Sequence, residues 1–78
     1  MRVLYRFTKP TGNRAEIRER RVTLRRAIEF SVFVDGSLIK SQMFQGQRIA
    51  EYATALQAAF AQFIDSGWSE DPEPSRGD

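Results

Sequence analysis

Nine basic residues fall within the first 26 positions: Arg2, Arg6, Lys9, Arg14, Arg18, Arg20, Arg21, Arg25 and Arg26, opposed only by Glu16 and Glu19. The chemistry these offer is anion recognition. A guanidinium is planar, always charged and matched in shape to phosphate and carboxylate oxygens. The remainder of the chain is mildly acidic and ends in Glu70, Asp71, Glu73 and Asp78 beside Arg76. An asymmetry of this kind points to an anionic partner for the N-terminal third.

Other chemistry is poorly supplied. Cysteine and histidine are both absent, which removes thiol nucleophiles, thiolate and imidazole ligands, and the usual general base. No Gly-rich phosphate loop, nucleophile elbow or carboxylate pair at useful spacing is present. Glu29, Glu51 and Asp65 belong to different segments, and Asp35 is accounted for as a turn former. The expectation is a non-catalytic binding module that takes no cofactor and no metal.

The elements that would position the arginines follow from periodicity. The clearest stretch is Ala27 to Phe44, two alternating apolar runs joined by Asp35-Gly36. Asp-Gly suits a two-residue turn with positive φ at both positions. Pairing outward from Val34 and Ser37 sets Phe33 against Leu38 and Val32 against Ile39. Ile28, Phe30, Val32, Val34, Ile39 and Met43 then form a core face. Ala27, Glu29, Ser31, Phe33, Leu38, Lys40, Gln42 and Phe44 form the opposite one.

Arg2 to Thr8 alternates as a half-buried strand, with Val3, Tyr5 and Phe7 inward, and Lys9-Pro10-Thr11-Gly12-Asn13 closes it in a loop. Residues 15–26 fit a helix poorly. A strand over Glu19 to Leu24, with Val22 and Leu24 inward, is the favoured reading, and Ile17 then sits on the wrong parity unless a bulge intervenes. From Gln47 the period becomes helical: Ile49, Ala53, Leu56, Phe60 and Phe63, with Ile64 widening the stripe. Ala55, Ala58, Ala59 and Ala61 fall on its solvated surface, and Tyr52 at the edge of the core. Gly67 and Trp68 are placed to end the helix, with Trp68 folding back on Phe63 or Ile64.

The fold expected is α+β: a four-stranded antiparallel meander, ββββα, with one C-terminal amphipathic helix on one face. Residues 1–68 make a single small domain, and 69–78 are expected to be a disordered acidic tail. No window reaches the ~20 apolar residues of a membrane span, and the N-terminus has no apolar run of a signal peptide, so a cytoplasmic protein is expected. The ββββα order with a basic sheet face resembles, in topology alone, small single-strand-binding transcription-cofactor-like folds.

Two functions compete for the face opposite the core. The first is binding of single-stranded nucleic acid, with Arg2, Arg6, Arg18, Arg20, Arg21, Arg25 and Arg26 on phosphates and Phe33 and Phe44 stacking on bases. The second is a homodimeric protein-interaction or regulatory module whose seam is Leu4, Phe33, Leu38 and Phe44, since a domain this small often gains stability by oligomerising. Arginines that merely solubilise an exposed sheet are the bland counterpart to both.

Overall fold

The computed structural model describes residues 2–71. In chain order it runs β1 (Arg2–Thr8), β2 (Arg14–Val22), a 3-10 turn (Thr23–Arg25), β3 (Ala27–Val34), β4 (Ser37–Gln45), a 3-10 turn (Gly46–Glu51), α1 (Tyr52–Asp65) and β5 (Ser69–Glu70). The strands form one antiparallel sheet in the order β4-β3-β2-β1-β5. The first four are the expected meander. The fifth is an addition: Ser69 and Glu70, assigned by sequence to the tail, pair with Thr8 and Phe7, and Asp71 N–H donates to Arg6 O at 2.8 Å. The rest of that expected tail, residues 72–78, lies outside the described residues.

One layer of helix covers one face. Phe7, Ala15, Ile17, Ile28, Phe30, Val32, Phe44 and Ala59 make the buried cluster, with Tyr5, Val34, Ile49, Tyr52, Leu56, Phe60, Phe63 and Trp68 packed around it. Phe7 lies under Phe63 with ring centroids 4.4 Å apart. The helix ends as its sequence predicts. Gly67 has φ +92, its N–H donates to Ile64 O, and Trp68 N–H reaches back to Phe63 O at 3.0 Å, so the last carbonyls are satisfied and Trp68 meets Phe63 edge-on. The buried stripe is rotated slightly from expectation: Ala59 is buried and Ala53 is exposed. Ile64 is 43% exposed.

Two bulges decide which residues face the helix. Asp35 and Gly36 adopt φ +51 and +84, and Val34–Ser37 and Phe33–Leu38 pair as expected. Val32 then pairs with Lys40, not Ile39. Ile39 is the extra residue, and beyond it every side chain of β4 changes face. Phe44 therefore pairs with Ile28 on the inner face and is 1% exposed, while Met43 pairs with Glu29 and points outward. A second shift sets Val3 opposite Arg18 and Tyr5 opposite Ile17, with Leu4 as the extra residue, so Val3 does not join the core.

β2 also corrects the sequence reading. It begins at Arg14, and Ala15 and Ile17 are inside at 2% and 0% exposure, whereas Leu24 is 98% exposed on the turn beyond the strand. The partners of β2 dictate this. Ala15 and Ile17 lie between Phe7 and Tyr5 on one side and Val34 and Val32 on the other. Arg26, at the corner where a glycine or asparagine would be favoured, takes φ +49 and closes the turn through its N–H to Thr23 O.

Candidate anion-binding face

The face of the sheet away from α1 has no second layer over it among the described residues. Strand alternation places Arg6 of β1, Arg14, Glu16, Arg18 and Arg20 of β2, and Glu29, Ser31 and Phe33 of β3 on this side. Residues two apart on β2 are spaced about 6.6 Å along the strand. Four guanidinium groups thus share the surface with two carboxylates.

Those carboxylates are not incidental. Arg6 and Glu16 are direct cross-strand neighbours, as are Arg20 and Glu29. Arg18 Nη2 and Nε both lie 2.7 Å from Glu16 Oε1, with Arg6 Nε 3.5 Å from its other oxygen. Arg20 Nη2 and Nε are each 3.2 Å from Glu29 Oε1. Exposed pairs of this type contribute about 0–1 kcal/mol each. Their greater effect is to hold the guanidinium groups in fixed places. Arg18 is held over the Phe33 ring, with Cζ 4.2 Å from the centroid, a cation–π contact that leaves the outer plane of the guanidinium toward solvent.

At the turn end of this face a shallow cleft of about 370 Å³ opens between Arg14, Arg18 and Phe33, with Glu16 and Asp35 also lining it. Its rim is tied together locally. Asn13 Nδ2 donates to Asp35 Oδ2 at 2.8 Å, and Arg14 N–H donates to Asp35 Oδ1 at 3.1 Å. The backbone donor of Arg14, and then the Asn13 amide, hold the Asp35 carboxyl below its ordinary 3.8. The Arg14 guanidinium makes no ion pair among the described residues. It is the open cation of the cleft.

Of the arginines singled out by sequence, Arg6, Arg18 and Arg20 gather here with Phe33. Arg2 lies beyond the bulge, across from Glu19. Arg21 has the parity of the helix-facing side, and its Nε is 3.3 Å from Glu19 Oε1. Glu19, 8% exposed, also accepts from the Tyr52 hydroxyl at 2.8 Å. Burial and that carboxylate push the Tyr52 hydroxyl far above its ordinary 10.0. Arg25 and Arg26 belong to the β2–β3 corner. Phe44 is removed from the candidate site altogether: it lies between Phe30 and Tyr52, at 6.2 and 5.8 Å, and can neither stack on a base nor join a seam. The proposed apolar seam also separates. Phe33 and Leu38 pair, but Phe33 is capped by Arg18, and Leu4 sits on β1 with β2 between it and β3.

Arg14 and Glu16 are the residues sequence reasoning missed. Their signal is parity with Arg18 and Arg20, visible only if β2 is started at Arg14.

Comparison with protein-family models, with curated proteins and with solved structures finds no match to this chain. Among the described residues no helix is long and apolar enough to cross a membrane.

Proposed function

We propose that this domain binds single-stranded nucleic acid across the uncovered face of its sheet, without catalysing a reaction on it. The observation that supports this most directly is the group formed by Arg6, Arg14, Arg18, Arg20 and Phe33: four guanidinium groups on one open surface, one of them already stacked on an aromatic ring. A base can stack on the outer plane of Arg18, extending the Phe33–guanidinium stack by one layer. Arg14 meets the adjoining phosphate, while Arg6 and Arg20 meet its neighbours after exchanging a carboxylate partner for a phosphate. Glu16 and Glu29 make that exchange competitive. Binding is accordingly modest in affinity and tolerant of sequence, because nothing on the face presents a fixed donor and acceptor pattern to a base edge.

The test is fluorescence anisotropy of a labelled mixed-sequence oligonucleotide at low salt. Wild type binds the single strand, and an Arg14→Ala, Arg18→Ala double variant that retains its far-UV spectrum binds it far more weakly. Equal binding by the double variant would remove the reading.

A further inference from the structure

We infer that β4 is a self-docking edge, through which two copies of this chain join their sheets into one antiparallel sheet. This goes beyond the nucleic-acid reading and does not depend on it. The two edges of the sheet are treated differently. At one, β1 is covered by β5. At the other, β4 has no neighbour among the described residues, so one side of its nine-residue backbone presents unpaired N–H and C=O groups, a template for another strand.

The side chains of that edge are equally uneven. Leu38, Ile39 and Met43 are 57%, 60% and 38% exposed, so three of the five exposed large apolar residues belong to this one strand. A cleft of about 240 Å³ opens beside them under the end of α1, lined by Val34, Ile39, Phe63 and Trp68.

Two features identify the occupant as a second copy. The first is self-complementarity. Ile39 projects at the bulge directly beside the cleft, so each copy carries both a projecting apolar side chain and an apolar recess on one edge. A two-fold axis satisfies both at once. The second is charge. Ser37–Gln45 contains one charged residue, Lys40, while the arginines lie on the open face or at the β2–β3 corner, so copies meeting edge to edge bring few like charges together. The bulge at Ile39 and the inward-facing Lys40 are the usual devices against unspecific edge pairing. Here they restrict the register to those that keep the two Lys40 ammonium groups apart. Because the axis of an antiparallel strand pair stands perpendicular to the sheet, both open faces end on the same side, and the basic surface is doubled in length.

Sedimentation velocity over a concentration series is the test, run beside the emission of Trp68, the only tryptophan in the chain. Wild type sediments at twice the chain mass, and Trp68 emission shifts to the blue as dimer forms. Ile39→Glu, at an exposed position that a folded monomer tolerates, weakens association by at least about tenfold, the equivalent of 1.4 kcal/mol. In wild type, amides of β4 exchange more slowly at high protein concentration than at low, which requires no variant to fold. A wild type that stays monomeric up to its solubility limit overturns the inference. So does a dimer that Ile39→Glu leaves intact, or one whose β4 amides exchange at a rate independent of concentration.

Discussion

Replacing Phe44 and Met43 separately by alanine distinguishes the two possible registers of β4, because the bulge at Ile39 decides which of these neighbours is in the core. Phe44 is 1% exposed and lies between Phe30 and Tyr52. Truncating a buried phenylalanine costs about 3–5 kcal/mol through lost transfer energy and the cavity left behind. At about 0.05–0.15 kcal/mol per residue, a domain of 78 residues has about 4–12 kcal/mol in total. Phe44→Ala thus removes at least a quarter of the stability and in the lower range nearly all of it. Met43, 38% exposed and opposite Glu29, costs less than about 1 kcal/mol. In urea, with a slope near 1 kcal/mol per molar for a chain this small, the midpoint of Phe44→Ala falls by about 3 M or the variant is unfolded in buffer. Met43→Ala moves by under about 1 M. A bulge-free hairpin reverses the order, with Met43 in the core and Phe44 on the open face. Similar costs for the two, or the reverse order, would refute the register and everything placed by it.

Tyr52→Phe removes the hydroxyl donor from the largely buried Glu19 and costs about 1 kcal/mol, read as a fall in urea midpoint. Because the Tyr52 hydroxyl is held protonated above its ordinary 10.0, its contribution is complete below that pH and is lost as pH rises beyond it. Wild type therefore loses stability at alkaline pH more steeply than Tyr52→Phe, as thermal melts at rising pH would register. Asp35 behaves in the opposite sense: its carboxyl is held below 3.8, so its contribution is present above that value and disappears as pH falls through the lower folded one. The melting temperature of Asp35→Asn should then fall less than that of wild type on acidification below pH 3.8. Glu16→Gln, which releases both Arg6 and Arg18 from a carboxylate, tightens oligonucleotide binding by about twofold to tenfold, taking 0.2–1 kcal/mol for each exposed pair. Weaker binding by Glu16→Gln in the anisotropy titration would mean that the carboxylate is needed to place Arg18, not that it competes with phosphate.

The parts of the fold that were legible in the sequence are those set by local chemistry. Asp35-Gly36 specifies its turn through positive φ at both positions. Gly67-Trp68 specifies the helix end, and the period change after Gly46 marks the passage from strand to helix. What escaped was parity. Val3-Leu4 and Leu38-Ile39 are adjacent apolar pairs within otherwise alternating strands, and each coincides with a bulge. Alternation alone assigns one member of such a pair inward and the other outward, then carries that choice along the rest of the strand. Only tertiary packing reveals that the large Phe44 ring fills the space between Phe30 and Tyr52 better than Met43 would. The open face was legible in kind, as arginine beside phenylalanine, but its membership changed with these shifts. Arg14 entered, Phe44 left, and Arg21 turned toward Glu19.

The salt dependence of single-strand binding tests the central claim most directly. Between two and four phosphate contacts on a single strand correspond to a slope of log K against log salt of about −1.4 to −2.8. The account predicts a wild-type slope in that range and a slope smaller by about 1.4 in the Arg14→Ala, Arg18→Ala variant, one increment of 0.7 for each lost contact. A flat wild-type response, absence of binding at low salt, or a slope that the double variant leaves unchanged would contradict it.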